Sequence, residues 1–312
     1  MSTTLELQTP DQALEDRVSR LLVGAVDMHC HSGPSVMPRD FDHIEAMQEA
    51  SDAGFSAMLI KDHYYSATPI TALLNKSHGH LNVALFSGVP LNNASGGFNK
   101  HAVDHGIALG AKLVWMPTFS SKNHIDSPYG ISAGFPHTTK KMIPFDPLTP
   151  IDANGKVKDE VKVILDMIAE HDVILSGGHL HISEIFLVFE EAKKRGVKRL
   201  LVNHPSFMIG ASLEDIRQLV VMDAYIEHSL CMFVKMSKSS RNPVPPNELD
   251  ALIKAGTVDR TILASDLGQI NNDHPVLGFR NVIKVCLDLG YTDEDIRKMI
   301  SGNPLRLLGM DS

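Results

Sequence analysis

The stretch VDMHCHSGP, residues 26–34, ends an apolar run with two histidines one residue apart and then stops the run with Gly-Pro. The approach to it, GAVDMHCH, is typical of a buried β-strand. Residues i and i+2 of a strand project from the same face, so we expect His29 and His31 to point together and Cys30 to point away. A single H-x-H is more often a polar strand end than a metal site. The rest of the chain must discriminate between the two.

Length and composition restrict the class of protein. A chain of 312 residues can form one large α/β domain or two ordinary ones. The formal net charge of −8 argues against a nucleic-acid-binding protein. The three cysteines are too few and too far apart for a disulfide framework. Because there is neither a signal-peptide pattern nor an apolar run long enough to cross a bilayer, we expect a cytoplasmic protein without a membrane partner.

Short apolar runs rich in Val, Ile and Leu recur along the chain, with helical patterns between them. They lie at 23–31, 56–64, 82–90, 112–118, 173–181, 199–205, 224–230 and 261–268. Most turn polar at the C-terminal end, which is typical of parallel strands buried on both faces. Eight βα units predict an α/β fold, a (β/α)8 TIM barrel formed by residues 1–312 as a single domain. A doubly wound sheet is the competitor, but no G-x-G-x-x-G follows the first strand.

One connection is much longer than the others. About fifty residues separate the fourth and fifth strands, and the segment 119–158 is rich in Gly, Pro, Ser and Asn. In a barrel this loop leaves from the C-terminal face, where barrel enzymes keep their active sites. We expect it to form a lid that helps to select the substrate. The alternative is a decoration used in subunit contacts.

Polar residues follow most of the predicted strands. In chain order they are His29 and His31, then Lys61, Asp62 and His63, then His179 and His181, then His204, then Glu227 and His228, and finally Asp266. The C-terminal ends of barrel strands surround one cavity, and histidine and carboxylate are the ligands that hold Zn, Mn or Fe. The joint pattern therefore favours the metal-site interpretation of the opening histidines.

The order of these residues resembles the metal-dependent amidohydrolase superfamily. H-x-H on strand one, His on strands five and six and Asp on strand eight carry the resemblance, and YTDEDIRKMISGNPLRLLGM (291–310) is similar to that superfamily's closing helix. The similarity extends over residues 23–310. The motif SDLGQ at strand eight suggests a poorly characterised, amidohydrolase-related branch.

The resemblance implies roles for individual residues. His29, His31 and His179 would be metal ligands, Asp266 a ligand and proton acceptor, and His204 a ligand to a second metal or a group that polarises the substrate. The chain departs from the family at the end of strand four, where VWMPT offers no carboxylated lysine or glutamate. One metal is therefore favoured over two, unless another residue bridges a pair.

Several residues keep more than one interpretation. Lys61 is either a carboxylated bridge between two metals or, as we favour, a contact for a substrate anion. His181 is a substrate-binding neighbour of the metal, or the ligand in place of His179 if the strand is longer. His63 and His228 are expected to bind substrate or, alternatively, to be hydrogen-bonded barrel histidines.

These assignments predict a metal-dependent hydrolase. A divalent ion, zinc rather than Mn or Fe, makes water reactive near neutral pH, and Asp266 accepts the proton. The substrate would be an amide, cyclic amide, lactone or ester of a small molecule, anionic because Lys61, Lys122 and Lys235 surround the predicted mouth. The alternative is a metal-dependent decarboxylase of an aromatic or unsaturated carboxylate, and a non-catalytic metal-binding module is the third choice. Self-association through FRNVIKVCLDL (279–289) stays open, because a helix packed on its own barrel shows the same pattern.

Overall fold

The computed structural model describes residues 10–127, 138, 140–235 and 242–310. Within them, eight β-strands alternate with helices. The strands are β1 Val26–Cys30, β2 Ala57–Ile60, β3 Ala84–Pro90, β4 Leu113–Trp115, β5 Ile174–Ser176, β6 Leu200–Asn203, β7 Tyr225–Ser229 and β8 Thr261–Ala264. The helices are α1 Pro10–Leu22, α2 His43–Asp52, α3 Thr68–Ser77, α4 Lys100–Ala108, α5 Lys122–Asp126, α6 Asp159–Glu170, α7 Ile182–Lys194, α8 Leu213–Val221, α9 Leu230–Phe233, α10 Pro246–Gly256, α11 Pro275–Asp288, α12 Asp293–Arg297 and α13 Asn303–Leu308.

All neighbouring strands pair in parallel and in sequence order. The sheet returns on itself because Cys30 and Leu267 form a parallel bridge, and the amide of His31 donates to the carbonyl of Leu267 at 2.8 Å. The predicted (β/α)8 barrel is confirmed by this topology. The competing doubly wound sheet is wrong, because its strand order would reverse at a switch point.

Two apolar layers hold the barrel together. Inward-facing side chains such as Val26, Leu59, Trp115 and Leu201 fill the interior, and Leu307 of α13 packs with them. Outward-facing side chains of the same strands pack with the surrounding helices in a second, larger cluster. This alternation follows from the two-residue period of a strand, and it leaves the C-terminal mouth as the place where polar side chains collect.

The strands are shorter than the apolar runs that predicted them. The largest difference concerns the fifth strand, which ends at Ser176 and not near residue 181. Gly178 has a φ of +59°, and a Cβ there would lie 2.2 Å from the carbonyl oxygen of Met116. A left-handed residue pressed against the backbone that follows β4 cannot continue a β-ladder, so His179 lies in a turn after the strand.

The long connection after β4 is partly described. It begins with α5 and is tied back by bridges between Ser121 and Leu148 and between Ile151 and Val157. The tip of the predicted lid, residues 128–137 and 139, lies outside the described residues. In the described parts of the chain, no helix is long and apolar enough to span a membrane.

Candidate metal centre

Two imidazoles and a carboxylate meet at the mouth of the barrel, at the junction of β1 and β8. The Nε2 atoms of His29 and His31 lie 3.3 and 3.1 Å from the same oxygen, Oδ1 of Asp266. Among the described residues, these three form the one group of at least three His, Cys, Asp or Glu side chains whose ligand atoms all lie within 4.8 Å of one another. The structure thus brings together three residues that the sequence singled out.

The other nitrogen of each imidazole is already engaged. Nδ1 of His29 lies 2.7 Å from Oε1 of Glu227, and Nδ1 of His31 lies 2.9 Å from the carbonyl oxygen of Lys61. Metal-binding histidines commonly donate their second N–H to a carboxylate or a backbone carbonyl, which fixes the tautomer. Both Nε2 lone pairs are then free to face the carboxylate of Asp266. This donor set fits a divalent transition-metal ion.

A register shift in β1 places the two histidines. The pairing of β1 with β2 is irregular between Asp27 and Cys30. Met28 packs in the barrel interior, whereas the next-but-one residue, Cys30, packs with the outer helices. A bulge of this kind redirects side chains without ending the strand. It allows His29 and His31 to reach the mouth together.

The backbone around Asp266 is held from β1. Its amide donates to the carbonyl of His29 at 2.7 Å, and its φ is +49°, which is uncommon for a residue with a side chain. Asp27 accepts hydrogen bonds from the amide and hydroxyl of the preceding Ser265 and from the amide of His29. Burial raises the pKa of Asp27 to about 6, although these bonds oppose the rise.

The local charges keep the ligand atoms available. Burial lowers the pKa of His29 well below its ordinary value and also lowers that of His31, so both rings are neutral near neutral pH. Burial acts to raise the pKa of Asp266, but the adjacent imidazoles of His29 and His31 outweigh it and leave this pKa well below the usual range. Burial raises the pKa of Glu227 to about 8.

Lys61 projects into the same space. Its Nζ lies 3.1 Å from Nε2 of His29 and 5.7 Å from the centre of the Trp115 ring. The side chain is buried, and burial lowers the pKa of its amine. The neutral amine of a lysine can be carboxylated, whereas its charged ammonium binds an anion, so both interpretations of Lys61 stay predictions.

A second set of histidines lies beside the first. The ring of His179 is 5.1 Å from that of His204, 5.0 Å from that of His124 and 5.7 Å from that of His63. His63 is buried and stacks on Phe119 at 3.7 Å. His204 has a φ of +33° and a buried Nδ1 that has no hydrogen-bond partner among the described residues. Strained backbone at His204 and Asp266 is typical of functional sites.

A family model describes part of this barrel. Residues 24–227 match DUF6282, a family of unknown function. The chain belongs to the DUF6282 family. No curated protein matches the sequence.

Solved structures resemble this DUF6282 barrel over nearly its whole length. The probable dipeptidase PvdM from Pseudomonas aeruginosa is 12% identical, with a TM-score of 0.67 over 97% of this chain and 99% of that one. A putative 2-pyrone-4,6-dicarboxylic acid hydrolase from Pseudomonas putida is 12% identical, with a TM-score of 0.55 over 93% and 99%. A 2,6-dihydroxybenzoate decarboxylase is 11% identical, with a TM-score of 0.56 over 92% and 99%. The predicted resemblance to the amidohydrolase superfamily is confirmed, and at these identities it concerns the fold.

Two predicted substrate-binding residues of the DUF6282 protein lie elsewhere. His181 is exposed and caps α7, with its Nδ1 2.9 Å from Oγ of Ser183. His228 follows Glu227 in β7 and therefore points to the opposite face, where it contacts the ring of Phe233. The strand-five alternative that would make His181 a metal ligand is wrong, because the strand ends at Ser176.

The remaining lysines are less informative. Nζ of Lys122 lies 2.5 Å from a carboxylate oxygen of Asp126, and both side chains are more than half exposed. Lys112 lies before the start of β4, over the ring of Phe86. Lys112 therefore lies at the opposite end of β4 from the mouth, and Lys61 is the lysine that contacts His29.

Sequence reasoning missed two residues that contact the predicted ligands. The sequence placed Glu227 among the polar strand ends but predicted no role for it. Glu227 lies two residues after Tyr225, whose side chain points into the barrel, so strand alternation predicts that the side chain of Glu227 also points inward. His124 lies in the long connection, where no periodic pattern indicates the direction of a side chain. Only the folded chain reveals its contact with His179.

Proposed function

We propose that this DUF6282 protein is a metal-dependent hydrolase of a small, anionic amide, cyclic amide, lactone or ester. One observation carries the proposal. His29 and His31 present their Nε2 atoms to Asp266 while Glu227 and the carbonyl of Lys61 hold the opposite nitrogens. Such an arrangement, at the C-terminal end of a barrel, is what a catalytic metal site requires.

The residues present would hold one divalent ion through His29, His31 and Asp266, with His179 kept as the fourth predicted ligand, and we favour zinc. When bound, such an ion polarises an oxygen of the substrate and lowers the pKa of water. Side chains of the protein would accept the proton and contact the substrate. Asp266, whose pKa is low, is ionised near neutral pH and is the group we assign to accept a proton.

His204 is our candidate for the group that contacts the reacting carbonyl. Burial lowers its pKa to about 4, so the ring is neutral near neutral pH. A neutral imidazole donates one hydrogen bond, and its ring lies 6.1 Å from that of His29 and 5.1 Å from that of His179. It is thus close to the ligand group without being part of it.

The preference for an anion rests on Lys61, whose Nζ lies 3.1 Å from Nε2 of His29. An aromatic cluster adjoins the ligand group: His63 lies 5.2 Å from the ring of His31 and stacks on Phe119. Tyr64 lies 6.2 Å from Phe119, and Phe145 from the long connection lies 6.1 Å from Tyr64. We infer a substrate with a small apolar or planar part beside its negative charge. The long connection would then contribute to substrate selection.

A decarboxylase of an aromatic or unsaturated carboxylate is the second candidate. The stacked rings of His63 and Phe119, at 11° to each other and next to the ring of His31, would offer aromatic side chains to a planar substrate. A solved structure of the same fold is a 2,6-dihydroxybenzoate decarboxylase. Lys61 would bind the carboxylate in either reaction.

One experiment separates the two reactions. The purified protein is analysed for bound metal and incubated in H₂¹⁸O with a panel of lactones, cyclic amides and aromatic carboxylates. Hydrolysis is expected to place ¹⁸O in the product without release of CO₂. Release of CO₂ without the label would support the decarboxylase, and metal-free protein that turns over normally would contradict both.

A further inference from the structure

The imidazole of His63, just after β2, is held from two sides. Phe119 stacks on it with the ring centres 3.7 Å apart, and Nδ1 lies 2.9 Å from Oγ1 of Thr118. No described residue forms a hydrogen bond with Nε2, and this atom is not among the fully buried ones. Nε2 is therefore the ring nitrogen that a ligand can reach, and its chemistry depends on which nitrogen carries the proton.

The side-chain amide of Asn92, which lies after β3, has a single orientation. Its Oδ1 accepts from the backbone amides of Thr118 and Ser120, at 2.8 and 3.1 Å. Its Nδ2 donates to the carbonyl of His63 at 2.9 Å and to Oγ1 of Thr118 at 2.6 Å. Backbone amides can only donate and backbone carbonyls can only accept, so exchanging the oxygen and nitrogen of Asn92 would break three of these bonds. Oγ1 of Thr118 is thus an acceptor toward Asn92.

The hydroxyl proton of Thr118 then points to His63. Thr118 is fully buried, and Nδ1 of His63 is the acceptor within reach of this hydroxyl among the described residues. A buried hydroxyl that donates to nothing is costly. Nδ1 therefore accepts the hydrogen bond, and the neutral ring carries its own proton on Nε2.

His31 has the opposite arrangement. Its Nδ1 faces the carbonyl oxygen of Lys61, which can only accept, so the proton is on Nδ1 and Nε2 offers a lone pair to an ion. The two rings are 5.2 Å apart at the same mouth. Hydrogen bonding thus distinguishes a histidine prepared to bind an ion from one prepared to donate a hydrogen bond.

We propose that His63 donates a hydrogen bond from Nε2 to a carboxylate oxygen of the substrate, and that Thr118 and Asn92 are positioning residues for this donor. Lys61 brings a cation to the same mouth, and Phe119 provides a flat apolar surface beside the donor. A carboxylate attached to a small planar group matches all three features. The inference rests on the proposed function and deepens it, because it assigns a residue that selects the anionic part of the substrate.

The position of the proton is measured by long-range ¹H–¹⁵N correlation spectra of zinc-loaded, full-length protein that carries ¹⁵N in its histidines. His63→Phe identifies the signals of His63 by their loss. We expect the pattern of an imidazole protonated on Nε2 in the wild type and in Thr118→Ser, which keeps the hydroxyl. In Thr118→Val the Nδ1 resonance should move, because its hydrogen bond is lost. Protonation on Nδ1 in the wild type would overturn the inference.

Thr71→Val is the matched control for the loss of a buried hydroxyl, since Oγ1 of Thr71 donates to a carbonyl within α3. It should leave the His63 signals unchanged. Circular dichroism establishes that each variant folds.

Binding is tested with benzoate, a small planar carboxylate, by calorimetry on the same zinc-loaded proteins. His63→Phe keeps an aromatic ring but lacks the N–H, and we expect it to weaken benzoate binding by about tenfold or more. His63→Gln keeps an N–H donor and should weaken binding less. His101→Phe, at an exposed histidine, is the control and should match the wild type. Equal affinity in His63→Phe and the wild type, or no binding of benzoate by the wild type, would overturn the inference.

Turnover of the compound panel, measured on the same samples, separates this inference from the proposed function. Benzoate binding that depends on His63, without hydrolysis of any compound in the panel, would support the donor and contradict the proposed function. Hydrolysis of an anionic compound with the same KM in His63→Phe and the wild type would support the proposed function and contradict the donor.

Discussion

Oε1 of Glu227 lies 2.7 Å from Nδ1 of His29, and both side chains are buried. This contact joins β7 to β1 near the barrel mouth. In its ionised form Glu227 keeps the proton of the imidazole on Nδ1 and leaves Nε2 as the ligand atom. Because burial raises the pKa of Glu227 to about 8, a cation held at Nε2 would be needed to favour this ionised form near neutral pH. Glu227 is thus a positioning residue for a side chain that we expect to bind metal.

The substitution Glu227→Gln tests this role. We expect the affinity for the ion at His29, His31 and Asp266 to fall by about 10- to 100-fold, because Gln cannot hold the imidazole as strongly as a carboxylate. Competition with a chromogenic chelator measures the affinity. Glu190→Gln, on the exposed face of α7, is the matched control. Equal affinities in the two variants would contradict the positioning role.

Substitutions of the ligands themselves should separate binding from chemistry. His29→Ala or His31→Ala removes a direct ligand, and we expect the bound ion and turnover to be lost together. Asp266→Asn should keep part of the metal but lower kcat by about 10²- to 10⁴-fold, because the proton acceptor is gone. Metal content and kcat are measured on the same samples, with Asp104→Asn on the exposed side of α4 as control. Metal and turnover falling in equal proportion in Asp266→Asn would argue for a ligand role alone.

The long connection should influence substrate binding more than metal binding. Phe145 lies 6.3 Å from Phe119 and 6.1 Å from Tyr64, ring centre to ring centre. We expect Phe145→Ala to raise the KM for whichever panel compound is turned over and to leave the bound metal unchanged. Ile143→Ala, at a side chain that is 89% exposed, should leave both quantities unchanged. Loss of metal in Phe145→Ala would show that this segment supports the barrel instead.

His228 should make stability depend on pH. It is buried, neither ring nitrogen has a hydrogen-bond partner among the described residues, and burial lowers its pKa to about 4. In the unfolded chain His228 binds this proton with its ordinary pKa. Its neutral form therefore contributes fully to the free energy of unfolding above about pH 6.5, and this contribution is lost as the pH falls toward 4. His228→Leu should remove about 2 kcal/mol of the decrease in unfolding free energy between pH 7.5 and 5, measured by urea denaturation. His101→Leu, an exposed histidine, should keep the wild-type slope.

Two glycines with similar backbone angles differ in the space around them. A Cβ at Gly178 (φ +59°) would lie 2.2 Å from a carbonyl oxygen, whereas a Cβ at Gly155 (φ +75°) would meet nothing within 4 Å. Gly155→Ala is expected to cost about 1 kcal/mol of unfolding free energy, the strain of the left-handed conformation alone. Gly178→Ala should cost clearly more and should disturb the adjacent His179, because the loop must move away from β4. Equal melting temperatures in the two variants would contradict this account.

The sequence by itself determined the barrel and the first three ligand candidates. Continuous apolar runs with polar C-terminal ends require parallel strands, and parallel strands joined by helices bring those ends to one mouth. His29, His31 and Asp266 could be predicted to meet for this reason, since each follows its strand closely. Because side chains of a strand alternate with a period of two residues, the spacing of His29 and His31 predicted that both point in the same direction.

Tertiary structure decided the rest, because local patterns do not encode it. β5 ends before Gly178, whose backbone lies against the carbonyl of Met116 just after β4, and His181 lies at the cap of α7. The direction of Glu227 follows from strand alternation, but its partner, His29, lies 198 positions away in the sequence. His124 reaches His179 because hydrogen bonds from Ser121 and Asn123 clamp α5 against neighbouring loops. Contacts of this kind form only when segments distant in the sequence pack together, so no periodic pattern in the sequence predicts them.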